Sequence, residues 1–153
     1  MSTTTTMSTT TTTTTTVNID YRLEGLKNSL ESANYLIEDF PDYPDSYESK
    51  ASALRQLGEY TKDVNYFEDA LINIDKALSI QTIRLYLFER ANIYMLYHQI
   101  DPNNNYREKA KEDIISLEQT SDEEIDNTTK RYITLNKQKI INYFAFTKEE
   151  LPY

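Results

Sequence analysis

The chain has 153 residues, a length that suits one domain, and carries a net charge of −9 with a pI of about 4.6. It contains no cysteine, which excludes disulfides and cysteine-based zinc or iron–sulfur sites. The 16 Lys and Arg residues form no long run, so the composition disfavours binding to nucleic acid or to an anionic membrane surface.

No apolar stretch approaches the ~20 residues that are needed to span a bilayer. The N-terminus also lacks the charged start and the apolar run of a signal peptide. We therefore expect a cytoplasmic protein, with the nucleus as the alternative. Glycine and proline are scarce, with two and four copies, and this scarcity favours an all-α fold of helices joined by short loops.

Residues 1–16 are almost pure Thr. The segment has no apolar periodicity with which to build a core, so it is predicted to be a disordered tail. The helical domain is predicted to span 17–146, and residues 147–153 are expected to form a frayed polar C-terminal tail.

From residue 18 onward, apolar residues recur every three or four positions, the spacing of one helix face. Asn18 is predicted to cap the first helix, and Pro41 is predicted to stop it. The second helix is expected to begin at Asp45 or Ser46 and to end at Gly58. Three further helices are predicted at 63–79, 82–98 and 104–118, and the capping-box pair Ser121 and Glu124 opens a sixth.

The most informative feature is an internal repeat, in which eight apolar positions recur with identical spacing forty residues later. The first set is Tyr47, Ala51, Leu54, Leu57, Tyr66, Ala70, Ile74 and Ala77, and the second is Leu87, Ala91, Tyr94, Tyr97, Tyr106, Ala110, Ile114 and Leu117. A fixed period of about 20–50 residues is typical of stacked helical hairpins. The first helix has matching spacing at Ala33, Ile37 and Phe40, and so corresponds to the second half of an earlier, incomplete hairpin.

Small residues at fixed positions of the repeat allow two helices to cross closely. The run from Leu57 to Tyr60, followed by Ala70, Ile74 and Ala77, resembles a tetratricopeptide repeat, in which a Leu-Gly-x-Tyr turn joins helix A to helix B. The resemblance covers residues 23–119. It implies a short right-handed α-solenoid of antiparallel hairpins, about six helices in all, with a capping C-terminal helix.

The period of forty residues departs from the usual tetratricopeptide period of about thirty-four. The second copy also has Tyr97, His98 and Gln99 where the Leu-Gly turn would lie. A HEAT-type solenoid, whose repeat is about forty residues long, remains the alternative.

The resemblance implies a concave groove, lined by the A helices, that binds a peptide or helix of another protein. The candidate groove residues are Glu48, Ser52, Arg55 and Gln56 in the first copy and Phe88, Asn92, Met95 and Leu96 in the second. The alternative interpretation is that Phe88, Met95 and Leu96 are covered by the first or sixth helix, because a short array needs caps at its ends. Chaperone-tail binding, known for some family members, is not carried over, because only Asn92 matches the residues that it needs.

Other patterns have simpler explanations. Asp101, Asn103, Asn105 and Glu112 have the spacing of a calcium-binding loop, but Tyr106 stands where that loop needs glycine. His98, the only histidine, has no second His or Cys with which to bind a metal. We expect no enzymatic activity, no cofactor, no metal and no small-molecule substrate.

Two functions remain open. In the first, the chain is an adaptor or scaffold that binds a partner's segment in its groove, so that Arg55→Glu or Asn92→Ala weakens binding without unfolding the domain. In the second, it is a non-catalytic structural subunit of a larger assembly, which its many Tyr residues would suit at interfaces.

Overall fold

The computed structural model describes residues 18–123 and 125–153, and within them every regular element is an α-helix. This confirms the all-α prediction, whereas the disorder predicted for residues 1–16 falls outside the described residues. The helices are α1 (Tyr21–Asp39), α2 (Pro44–Thr61), α3 (Val64–Ile80), α4 (Arg84–Ile100), α5 (Asn104–Gln119) and α6 (Asn127–Phe144).

Four of the six described helices are capped at their start by a short acceptor side chain, and α2 and α4 are not. The Asp63 carboxylate accepts a hydrogen bond from the backbone N–H of Asn65, which caps α3. Two predicted caps are wrong by a few residues. α1 is capped by Asp20 rather than Asn18, and α2 begins at Pro44, which needs no N–H partner in the first turn.

The sequence predicted that α2 ends at Gly58, and this prediction is wrong. The helix continues to Thr61, and Lys62 adopts the left-handed conformation with φ 63° while its N–H bonds the carbonyl of Gly58. A Cβ at position 58 would lie 2.8 Å from the ring of Phe67 in α3. Glycine is therefore needed here for the close approach of α2 and α3.

The start predicted for the sixth helix is also wrong. α6 begins at Asn127, and its cap is Asp126, whose carboxylate accepts a hydrogen bond of 2.7 Å from the N–H of Thr129. Ser121 instead accepts a hydrogen bond from the N–H of Glu123 in the loop. The other half of the predicted capping box, Glu124, lies outside the described residues.

Helices α1 to α5 pack in chain order, and the hairpins α2–α3 and α4–α5 have the largest contacts. The last helix, α6, makes its main contact with α4 rather than with α5. α1 packs on α2, α3 packs on α4, and α4 also contacts α2 and α6. The four alanines at the predicted crossings of the two hairpins are completely buried: Ala51, Ala70, Ala91 and Ala110. The repeat therefore places its small residues where helices meet.

The core is centred on α4, because four other helices contact it. Ten of its seventeen residues are buried, including Tyr86, Phe88 and Ile93. A helix that is apolar on nearly every side is expected to lie inside a fold. α4 thus links the two hairpins and α6.

Residues 147–153 are not a solvated polar tail. The side chain of Leu151 is only 8% exposed, and Phe146 is buried just before the segment. Two hydrogen bonds of 2.7 and 2.9 Å join the guanidinium of Arg107 in α5 to the carboxylate of Glu150. This contact lowers the pKa of Glu150 to about 2, and it fastens the C-terminal segment to α5.

Candidate protein-binding groove

A groove with a volume of about 380 Å³ runs along the seam between α1 and α2. Its floor is made of small side chains from both helices: Ser29, Ser32 and Ala33 from α1, and Ser49, Ser52 and Ala53 from α2. Leu36, Glu48 and Gln56 line the rest. Small residues on both helices leave room for another backbone to approach the seam closely.

An apolar cavity of about 310 Å³ continues the groove toward the α1–α2 turn, and the two share Leu36 and Ser49. Phe40 and Tyr43 line this end, and they are 49% and 63% exposed. Their rings meet edge to face with centroids 5.7 Å apart. Asp45 also lines this end, so the apolar surface carries a negative charge.

A polar cavity of about 480 Å³ adjoins the other end of the groove through their shared residue Gln56. It is lined by Arg22, Arg55, Gln56, Glu59, Tyr60 and Lys62. The guanidinium carbon of Arg22 lies 5.2 Å from the ring centroid of Tyr60, whose hydroxyl donates to Asp20 over 2.5 Å. Three cations and one acid line this end, whereas Asp45 is the single charged residue that lines the opposite end.

Glu48 is the acid among the residues that line the groove, and it is half-buried. Burial raises its pKa to about 7, and the negative charges of Glu89 and Asp45 add to this effect, while Arg55 opposes it. Glu48 forms no ion pair among residues 18–123 and 125–153. A cation placed beside Glu48 would therefore relieve an unfavourable buried charge.

Behind the groove, Arg55 of α2 and Glu89 of α4 form an ion pair with 3.4 Å between Nε and Oε2. Their side chains are 14% and 4% exposed. Burial raises the pKa of Glu89, and the positive charge of Arg55 opposes that change. Glu89 was not predicted as a site residue, since nothing in the local sequence pattern marks it as buried or shows its partner on another helix.

The four candidate residues of α2 lie along one seam. Glu48, Ser52 and Gln56 line the groove, and Arg55 lines its polar end while pairing with Glu59 as well as Glu89. The candidate residues of α4 do not line this groove or its polar end. Asn92 is half-buried.

α6 packs on part of the α4 face that was predicted to bind a partner. Phe88 is completely buried, and its ring lies edge to face with that of Tyr132 at 5.4 Å between centroids. Met95 and Leu96 are also buried. Coverage by the first or sixth helix was the alternative prediction from the sequence, and Phe88 is covered by α6 in this way.

His98 lies in the last turn of α4, where its imidazole Nδ1 is 2.8 Å from the hydroxyl oxygen of Tyr143. Its ring also meets that of Phe144 edge to face. The histidine therefore belongs to the contact between α4 and α6.

Comparison of the chain with protein-family models, curated proteins and solved structures gave no match. In the described part of the chain, the Asp, Glu and His side chains form no group of three that could hold a metal ion. None of the six described helices has both the length and the apolar character required to cross a membrane.

Proposed function

We propose that the chain is a protein-interaction module, without catalytic activity, that binds a peptide or helix of a partner protein in the groove between α1 and α2. The observation that carries this proposal is the composition of the groove. It joins a floor of small side chains to exposed Phe40 and Tyr43 and to the uncompensated acid Glu48. Apolar side chains with polar neighbours are the usual composition of a protein-recognition surface.

The scaffold of this module is proposed to be a short right-handed solenoid of tetratricopeptide-like hairpins. Two observations support it: the packing of α1 to α5 in chain order, and the contact of α4 with α2, the equivalent helix of the first hairpin. In such an array α2 and α4 are the A helices, α1, α3 and α5 are the B helices, and α6 is the capping helix. The groove then lies at the N-terminal end of the array, and α6 covers the A face of the second repeat.

The test blocks the groove without altering the polar network of α2. Ser32→Trp places a large side chain in the groove from α1, and Asn28→Trp places the same side chain on an exposed position of α1 that does not line it. Both tagged full-length variants are used to isolate partners from the native cell by quantitative mass spectrometry. Proteins that the wild type and Asn28→Trp retain should be lost by Ser32→Trp, and equal retention by both variants would argue against recognition in the groove.

The second candidate function is that of a non-catalytic structural subunit in a permanent assembly. The observation that favours it is the number of large apolar side chains that α1 leaves exposed, among them Tyr21, Tyr35 and Leu36. A subunit of this kind should self-associate or be unstable alone, and its partners should be stoichiometric and resist high salt. A soluble monomer with substoichiometric, salt-sensitive partners is instead the result expected of an adaptor.

A further inference from the structure

The repeat shows what is missing at the α1–α2 groove. α1 matches the B helices α3 and α5 in the sequence spacing of Ala33, Ile37 and Phe40, and each of those helices packs against the A helix before it, α2 or α4. α2 in turn contacts α3 and α4, and α4 contacts α5 and α6. The groove on α1 and α2 is thus the equivalent position for an A helix, and no described helix occupies it.

We propose that this position is filled by an amphipathic helix of another protein, antiparallel to α1 and parallel to α2, with a basic residue beside Glu48 and Asp45. This inference rests on the proposed function and names the class of partner and its orientation.

The shape of the groove suits a helix. Two hairpins in the chain bring helices together over completely buried alanines, such as Ala51 and Ala70. The groove offers comparable small residues on both of its walls, including Ala33 and Ala53. Leu36 and Phe40, which are exposed at the rim, would receive the apolar stripe of the bound helix.

Charge gives the direction of the bound helix. The half of the groove near the start of α2 carries Asp45 and Glu48, and the end near Thr61 is lined by three cations, Arg22, Arg55 and Lys62, and by one acid, Glu59. A helix has a partial positive charge at its N-terminus and a partial negative charge at its C-terminus. A helix parallel to α2 places its N-terminus at the acidic end and its C-terminus at the basic end, which agrees with the direction required by the repeat.

A second copy of the chain fits the groove poorly. Forty residues beyond the A positions of α4, α6 carries Asn127, Arg131, Thr134 and Lys137, which are polar where an A helix needs apolar residues. A symmetric pair of grooves would bring Asp45 and Glu48 against the same acids, between chains that each carry a net charge of −9. Both arrangements oppose self-association through this surface.

The chain's own N-terminal segment is also a poor occupant on sequence grounds. Residues 1–17 contain no Lys or Arg to pair with Glu48. Threonine is a weak helix former, and the segment has no apolar stripe. A helix from another protein remains the occupant that meets both requirements.

The probe for the test is a synthetic peptide with the sequence of residues 44–61, since α2 takes the equivalent position on α3 and α4. The basic version carries Lys in place of Asp45 and Glu48, and the matched control is the unaltered peptide. Each is labelled with fluorescein and titrated with the full-length protein in fluorescence anisotropy. The basic peptide should bind, and Glu48→Lys in the protein should weaken it by about tenfold or more while it strengthens the control peptide.

A second variant, Glu48→Gln, guards against misfolding as the cause of weaker binding. It removes the half-buried charge of Glu48 without adding another charge. It should weaken the basic peptide less than Glu48→Lys does. A nitroxide on the peptide's N-terminus should broaden the NMR signals of Ser46 and Ser49, and a nitroxide on its C-terminus should broaden that of Gln56. The reverse pattern would overturn the proposed orientation.

The outcomes separate the two proposals. If Ser32→Trp loses cellular partners but the basic peptide does not bind the wild type, the groove recognises proteins and the helix inference is wrong. If the peptide binds equally well to wild type and Glu48→Lys, the charge argument is wrong. Self-association of the full-length chain that Ser32→Trp abolishes, measured by sedimentation, would make a second copy the occupant and overturn the inference.

Discussion

Arg55 Nε lies 3.4 Å from Glu89 Oε2, and this contact joins α2 to α4 across the side of the groove. Both side chains are largely shielded from water, with Glu89 only 4% exposed. Removing one partner of such a pair leaves an uncompensated buried charge, which is more destabilising than removing both. Arg55 therefore supports the fold as well as lining a candidate binding surface.

The first prediction concerns Arg55→Glu, a variant that was predicted from the sequence to weaken binding without unfolding the domain. The structure places two acids together in this variant, so the free energy of unfolding should fall by about 3 kcal/mol. Urea denaturation followed by circular dichroism measures the change. Gln56→Glu, one residue further and exposed, is the control and should change stability by less than about 0.5 kcal/mol. Equal stability of the two variants would show that the ion pair contributes little.

The two glycines provide a second, matched pair of variants. Gly58→Ala adds a Cβ that would lie 2.8 Å from the Phe67 ring, and the resulting strain should exceed the gain in helix propensity and destabilise the protein by about 1–2 kcal/mol. Gly25→Ala has nothing within 4 Å of the new Cβ, and it should stabilise α1 by up to about 1 kcal/mol. Thermal denaturation of both variants should show melting temperatures that move in opposite directions. A common direction would contradict the close packing of α2 on α3.

The third prediction is a pH dependence caused by Glu48. Its pKa rises from 4.5 to about 7 on folding, so the folded state favours the protonated carboxyl. The unfolding free energy should therefore fall as pH rises from about 4.5 to about 7.5, and Glu48 should account for about 2 kcal/mol of that fall. Glu48→Gln should remove this part of the profile, and Glu38→Gln, exposed on α1, is the control. Parallel profiles for wild type and Glu48→Gln would refute the shift.

The fourth prediction concerns the C-terminal segment. Leu151→Ala should lower the free energy of unfolding by about 2 kcal/mol, because the side chain is buried although it lies two residues from the end of the sequence. Lys148→Ala, an exposed position in the same segment, should have little effect. Guanidinium denaturation of both variants is a direct comparison. A loss no larger than that of Lys148→Ala would mean that Leu151 is not packed in solution.

The sequence predicted the helices well where apolar residues recur on one helix face and a polar N-cap residue precedes them. Asp63 was predicted as the start of the third helix and caps α3, and the buried alanines of the repeat lie at the helix contacts. Both features depend on residues close in the chain or on a pattern that occurs twice. These features could be predicted because the local sequence preferences agree with the final fold.

The features that the sequence did not predict depend on contacts between residues that are distant in the chain. Gly58 looks like a helix end, since glycine is the commonest residue there, but its role is set by the Phe67 ring. Glu89 looks exposed by type, and only its contact with Arg55 explains its burial. Leu151 follows a run of polar residues, so its packing could not be read from the local pattern.

α1 has only one buried residue, Ala33, and it packs mainly on α2. A terminal helix held by so little apolar contact should open separately from the rest of the chain, at a free energy well below that of global unfolding. Its backbone amides should then exchange with deuterium sooner than those of α4. A ligand that lies across α1 would slow that exchange. The time course of deuterium labelling in this one helix therefore reports whether the groove between α1 and α2 is occupied.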